Sequence, residues 1–250
     1  MQQVMIKKTL LASSLAIALA APAAFATNGL APTGIGQEHK AMGGAAVGNP
    51  VNTMSMATNP AAASFINDGY DVELELFKPN RTVKGKAGVN PGTYEGDEKP
   101  VFLVPGAGYK KQYNNKYAVG ITMYGNGGMN TEFKNSPKFP TPGGLFPFNG
   151  GGAGAPNTGI NLEQLFVSPT LGIKLNEKHS LGLSVNLVAQ QFKATGLGAL
   201  VGGSVPYQQN KANFFTDKGV DTATGIGATI GWMGKLTDTT TAGVSYRLKT

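Results

Sequence analysis

Cysteine is absent from all 250 residues, so no disulfide scaffold can hold an exported chain together, and stability must come from strand pairing or a core. No run approaches the roughly 18 consecutive apolar residues of a membrane helix. There are two histidines, His39 and His179, and neither sits at a metal-ligand spacing. Each reads as a solvated or hydrogen-bonded surface residue. No Ser-His-Asp arrangement can be placed, so the sequence describes no enzyme and requests no cofactor. Asp71, Glu73 and Glu75 share one strand face, where lumen hydration is the ordinary reading; such a row could hold Ca²⁺, but nothing else in the sequence requests a metal. The formal net charge is +7, but it is spread along the chain without a basic stripe. That spread excludes a nucleic-acid partner and leaves a weak attraction to anionic lipid headgroups.

The N-terminus has the three parts of a secretory leader. Lys7 and Lys8 form the basic region, Leu10 to Ala21 the apolar region, and Ala24-Phe25-Ala26 the small-x-small cleavage site. Residues 1–26 are therefore expected to be removed, which lowers the net charge to +5. An apolar region of this length is too short to span about 30 Å of hydrocarbon.

Behind the leader, seven stretches alternate apolar and polar residues with period two, the signature of strands with one apolar and one wet side. In Tyr70–Lys78, Tyr70, Val72, Leu74 and Leu76 oppose Asp71, Glu73 and Glu75. The others are Val101–Lys111, Tyr117–Tyr124, Leu162–Leu175, Leu181–Leu187, Thr222–Leu236 and Ala242–Lys249. Short turns, at Gln112–Asn115 and Asn176–His179, alternate with long segments at Pro79–Pro100, Asn126–Ile160 and Thr195–Asp221. Most of these strands reach the roughly 9–11 residues that a tilted strand needs to cross a bilayer, against about 5–6 in globular sheets. The fold class expected is all-β, a transmembrane antiparallel barrel with apolar residues toward lipid and Gly, Ser, Asn and charged residues toward the lumen. Tyr70, Tyr109, Tyr117 and Trp232 fall at the short-turn ends, where an interfacial aromatic girdle belongs. Seven strands is an odd number for a single-chain barrel, and the last runs to Thr250, so the sequence reads as the first part of a longer protein.

Residues 27–67 do not alternate and are rich in Ala and Gly, a composition suited to a compact plug inside a lumen. Residues 68–250 would form the first part of the barrel. Two long segments carry apolar side chains: Phe139, Leu145, Phe146 and Phe148 on one, Leu197, Leu200, Val201, Phe214 and Phe215 on the other. They either pack on each other and the rim or form a landing surface for an apolar ligand. Gly120, the only glycine well inside its strand, is the candidate for a bend there, although lumen glycines are common in this chain.

Thr27-Asn28-Gly29, Ala41–Ala46, Asn59-Pro60-Ala61-Ala62 and Gly243–Arg247 resemble the FadL family, which includes aromatic-hydrocarbon transporters of the TodX type. The resemblance implies a fourteen-stranded monomeric barrel with an N-terminal hatch, in the outer membrane of a Gram-negative bacterium among lipid and lipopolysaccharide. It implies that outer loops capture a hydrophobic small molecule, which leaves sideways where the third strand is kinked. It also carries Asn59, Pro60 and Ala61 onto the family's hatch motif. Physically, Pro60 biases Asn59 away from helix and the Asn amide can bond nearby backbone, which suffices to hold a plug shape without any transport role. The function expected is passive uptake of long-chain fatty acids. The alternatives are hydrocarbon uptake by the same mechanism, an adhesin or receptor barrel without transport, and a general porin.

Overall fold

The computed structural model describes residues 31–85, 92–96, 101–133, 158–195 and 218–250. The leader and the apolar long-segment residues Phe139, Leu145, Phe146, Phe148, Leu197, Leu200, Val201, Phe214 and Phe215 lie outside them. Helices α1 (Gln37–Ala41) and α2 (Ser55–Thr58) and a 3-10 helix (Pro60–Ser64) precede the strands. Then come β1 (Gly69–Phe77), β2 (Thr82–Gly85), β3 (Gly92–Glu95), β4 (Phe102–Gln112), β5 (Tyr117–Phe133), β6 (Thr158–Lys174), β7 (His179–Thr195), β8 (Asp221–Lys235) and β9 (Thr241–Arg247). Seven form one antiparallel sheet in the order β1-β4-β5-β6-β7-β8-β9, and β2 and β3 form a separate hairpin.

Every neighbour in the large sheet is also the next strand along it, an up-and-down meander. The period-two pattern fixes the register, because a slip of one residue would turn each apolar face to the wrong side. The short turns are set by one side chain each. Asn114 Oδ1 accepts from Lys116 N and Tyr117 N, both at 2.9 Å. Asn176 Oδ1 accepts from Lys178 N and His179 N, both at 2.8 Å, a repeat of the same Asx-type turn.

The burial pattern is inverted relative to a water-soluble protein. Val72 is 77% exposed, Leu76 70% and Ile226 68% on the outer face. The opposite face buries Thr122, Ser168, Thr170, Ser184, Asn186 and Thr229. Those polar groups bond across strands: Ser168 Oγ donates to Asn186 Oδ1 at 2.9 Å, and Asn186 Nδ2 donates to Thr229 Oγ1 at 2.8 Å. A soluble sandwich would bury the Val-Leu-Ile face. An outward apolar band therefore needs lipid as its solvent. Among the described residues no helix is long and apolar enough to cross a membrane.

The sheet is strongly curled. A flat sheet would put β9 about 19 Å from β5, four strand spacings away, yet Arg247 Nη2 on β9 donates to Tyr124 Oη on β5 at 3.0 Å. The two side chains meet across the concave polar face.

Three expectations need correction. The segment Pro79–Pro100 holds the β2–β3 hairpin. The third sheet strand does not end before Asn126 but continues to Phe133, because a local irregularity lets pairing with β6 resume. His39 is completely buried rather than at the surface. Its Nδ1 lies 2.9 Å from Ile35 O, and its Nε2 lies 3.3 Å from both Ser55 Oγ and Asn49 O. The ring is the knot that ties α1 to α2.

Candidate functional site

The concave face is occupied by residues 33–66. Two sets of residues hold this plug. The first is the acidic row of β1. Asp71 Oδ2 accepts from Thr53 N at 2.9 Å and Thr53 Oγ1 at 2.6 Å. Glu73 Oε2 accepts from Gln37 N at 3.0 Å, and Glu75 pairs with Lys40. Successive acids two residues apart project from one strand face, so the row docks three points of the plug, Thr53, Gln37 and Lys40. Among the described residues no group of His, Asp and Glu is placed to hold a metal ion.

The second set is centred on Asn59-Pro60-Ala61. Asn59 caps the 3-10 helix, its Oδ1 accepting from Ala61 N at 3.1 Å, with Pro60 in the first turn. Both remaining amide hydrogens are used: Nδ2 donates to Val47 O at 2.7 Å within the plug and to Trp232 O at 3.0 Å on β8. Asn59, Ala61 and Ala62 are each 0% exposed. Ser180 Oγ donates to Ala61 O at 2.8 Å and Ser245 Oγ to Thr58 O at 2.7 Å. Asn59 thus satisfies three backbone groups that would otherwise be buried without partners.

The glycines of the polar face make this contact possible. A Cβ at Gly182 would lie 2.1 Å from Ala61 N, and one at Gly231 would lie 2.0 Å from Asn59 Oδ1. Gly120 belongs to this set: a Cβ there would meet Met56 Sδ at 2.6 Å. Its pairing is regular on both sides, with Lys110 and Thr170, so Gly120 clears space for the plug and is not where the strand departs from register.

The irregularity lies further along β5. Gly125 pairs with Leu165 and Gly128 with Glu163, leaving Asn126 and Gly127 opposite Gln164 alone. Two residues against one is a β-bulge, which bends its strand, and Gly127 takes the φ of +116° that a side chain would resist. On the other side of β5, pairing with β4 ends at Gly106–Tyr124. Beyond it Phe102–Pro105 stay bonded to β1 but have no β5 partner, and Pro105 has no N–H to offer a ladder. The ladder between β4 and β5 is therefore interrupted beyond Gly106–Tyr124, where the Val104 side chain packs on Gly125 without a strand pair.

A small cavity, with room for about one water, lies beside this interruption. Ile35, Gly36, Gln37 and Lys40 border it from the plug, Val104 and Pro105 from β4, Tyr124 and Gly125 from β5, and Glu73 and Glu75 from β1. Arg247 connects the parts. Its guanidinium donates to Ala57 O of the plug at 2.8 Å, to Tyr124 Oη and to Asn126 Oδ1 of the bulge at 3.3 Å, and lies 5.4 Å from the Phe166 ring centre. At the plug's exit Lys110, 3% exposed, donates to Ile66 O at 3.0 Å and pairs with Asp68 at 2.9 Å. Lys110 and Lys111 together hold the Asp68 carboxyl well below the usual carboxylate range.

Of the residues singled out from sequence, Asn59, Pro60 and Ala61 lie together at the plug–sheet contact, and Gly120 lies beneath the plug. The bulge, Arg247 and Lys110 were missed. The Asn126-Gly127-Gly128 run was the available signal for the bulge, since paired glycines inside an apolar-polar alternation mark a bulge or close approach.

Residues 11–250 match a family model described as outer membrane protein transport protein (OMPP1/FadL/TodX). No curated protein matches the chain. Among solved structures, the TodX deltaS2S3 mutant monoaromatic hydrocarbon channel is similar, with 20% identity and a TM-score of 0.64, over 86% of this chain and 55% of that one. The Pseudomonas putida toluene transporter TodX has 20% identity and a TM-score of 0.50, over 77% of this chain and 49% of that one. A Pseudomonas aeruginosa FadL homologue has 17% identity and a TM-score of 0.49, over 81% and 49%. At 20% identity the likeness to the two TodX structures is one of fold, and the chain spans about half the length of the three structures.

Proposed function

Because this chain belongs to the OMPP1/FadL/TodX family of outer membrane transport proteins, we propose that it forms part of a passive channel for hydrophobic compounds, with lateral release through an opening at the β4–β5 interruption. Residues 1–26 are removed on export, residues 27–67 act as the hatch, and residues 68–250 form the first part of a monomeric barrel set among outer-membrane lipid and lipopolysaccharide. The two apolar long segments, with Phe139, Leu145, Phe146 and Phe148 on one and Leu197, Leu200, Phe214 and Phe215 on the other, capture the solute.

The observation that carries this reading is the interrupted ladder beside a seated plug. An apolar solute that crosses the polar lipopolysaccharide layer gains nothing from delivery into water. A gap in the wall returns it to hydrocarbon directly, at the hydrophobic gain of roughly 25 cal/mol per Å² buried. The frame suits such a solute: Leu103 and Pro105 on β4, and Gly127, Gly128 and Met129 on β5, carry no charge. A general porin would need an open aqueous lumen, which the plug opposes.

Two substrate classes fit, long-chain fatty acids and neutral hydrocarbons. Two carboxylates, Glu73 and Glu75, against one ammonium, Lys40, border the pocket. With Arg247 beside Tyr124 and Asn126 the charges balance, which leaves no net positive site for an anionic head and favours an uncharged hydrocarbon. The test is uptake of labelled oleate and labelled toluene by cells lacking their own transporters and carrying the full-length gene. Saturable toluene uptake above the oleate rate is expected. Saturable oleate uptake alone would restore the fatty-acid reading, and uptake of neither from a folded barrel would remove the transport reading in favour of a surface receptor.

A further inference from the structure

The β4–β5 interruption has a second boundary. Past the bulge, among the described strands, β5 pairs with β6 and no longer with β4, and in an antiparallel ladder the N–H and C=O of alternate residues point to the same outer side. Glu132 N donates to Gly96 O at 3.4 Å, so Glu132, and by parity Asn130, turn these groups away from β6 toward the side that β4 has left. Arg81 meets them there: its guanidinium donates to Asn130 O and, at 2.8 Å, to Asn130 Oδ1. The same guanidinium lies 5.7 Å from the ring centre of Phe102 on β4. One side chain therefore spans from the outer end of β4 to β5. Gly96 N donates to Arg81 O at 2.8 Å, which ties the two flanks of the β2–β3 hairpin together. A Cβ on Gly96 would lie 2.8 Å from the Phe133 ring, so the hairpin flank sits flush on β5.

We propose that Arg81 is the lintel of a bounded window whose sill is the Gly106–Tyr124 pair, and that this clasp limits the size of the apolar solute that passes. The four β4 residues without a β5 partner, at about 3.3 Å each, make the window roughly 13 Å tall. That height admits a small ring system edge-on and not an unlimited slit. One guanidinium nitrogen, Nη1, donates to both oxygens of Asn130 while the planar group lies by the Phe102 ring, and an ammonium could keep the first contact but not the planar one. Arg81 acts on the solute through the frame, as a positioning residue.

The proposal rests on lateral release through this opening, so its test carries two readouts. Full-length protein and its Arg81→Ala and Arg81→Lys variants are compared for uptake of a one-ring and a three-ring aromatic hydrocarbon, with barrel amounts matched by heat-modifiable migration. Hydrogen exchange is followed at the Glu132 amide. With the lintel removed, the three-ring to one-ring uptake ratio rises about tenfold, a change of the size that pocket dimensions alone impose on selectivity. Arg81→Lys falls between, and Glu132 exchange accelerates in Arg81→Ala. An unchanged ratio in a folded Arg81→Ala barrel overturns the filter, as does an equal fall in both rates. If the parent protein takes up neither hydrocarbon, the filter on them fails, and uptake of oleate then decides separately whether lateral release stands. Exchange at Glu132 then decides the clasp alone: acceleration upholds it and unaltered protection overturns it.

Discussion

The two sides of this sheet differ in how they treat the same backbone. The β7–β8 ladder is unbroken from His179–Gly234 to Phe192–Asp221, and its inner face meets the plug through glycines and hydroxyls. The β4–β5 ladder stops halfway, at Gly106–Tyr124, and its outer half is bridged by one arginine. Both stretches alternate apolar and small polar residues, so alternation alone does not decide which becomes wall and which becomes window. What differs is a paired glycine in β5 that permits a bulge, and a hairpin that caps the strand edge left over. In lipid an unsatisfied backbone group costs several kcal/mol, so an opening in a barrel wall needs such caps as much as it needs a bend.

The comparison can be broken hardest on the wall side. Gly231→Val places methyl groups where Asn59 Oδ1 and the Pro60 ring now sit. Overpacking of this kind costs about 1–3 kcal/mol and more against backbone, and the plug should lift. Ion conductance of the full-length protein in planar bilayers should then rise severalfold above that of the parent. Asn59→Ala strips Ala61 N, Val47 O and Trp232 O of their partner at once. At about 1–3 kcal/mol for a buried group left unsatisfied, the plug should lose protection in limited proteolysis while the barrel persists.

Arg247 sharpens the comparison, because it joins the two sides. Arg247→Met removes the bonds to Ala57, Tyr124 and Asn126 but keeps an apolar stem over Phe166. A loss of about 1.5–3 kcal/mol is expected for hydrogen bonds to a charged group, read as a lower midpoint in urea unfolding of the full-length protein. The smallest effect belongs to Asp68. Its carboxyl is held below its ordinary value of about 3.9 by Lys110 and Lys111. A depressed carboxylate stabilises the folded state above its unfolded pKa and loses that contribution as pH falls through its folded one. The plug's exit should therefore show no change in hydrogen-exchange protection, once intrinsic rates are divided out, between neutral pH and about pH 5, and Asp68→Asn should remove what acid-dependent loosening appears below that.

The strand meander, its facing and its short turns were legible because period two and the Asn-containing turns are local signals. The register then follows from keeping Val72, Leu103, Ile121 and Leu183 on one side. The plug was legible as a segment from its small residues, and Asn59 as a bonding residue from Pro60 beside it. Its partners were not, since Trp232 lies far along the chain and only the curl of the sheet brings it near. Gly120 drew attention for the wrong physical reason. Inside a strand a glycine marks either a bend or a close approach, and only the position of Met56 separates the two. The bulge was hidden because Asn126-Gly127-Gly128 reads equally as the start of a loop, and Arg81 because a lone arginine beyond a strand carries no pattern at all.

The measurement that bears most directly on the window is uptake with the bulge removed. Deleting Gly127 restores one-for-one pairing with β6 without turning any side chain over, so β5 can straighten toward β4. Uptake of labelled toluene and labelled oleate by cells carrying the full-length gene, with and without the deletion, should show saturable uptake of at least one of them by the parent. That uptake should fall at least about tenfold in the deletion at equal amounts of folded barrel, the size of loss that follows from closing the only route the window provides. Undiminished uptake through a folded barrel lacking Gly127 would contradict the account, because the solute would then be leaving by some path other than the gap between β4 and β5.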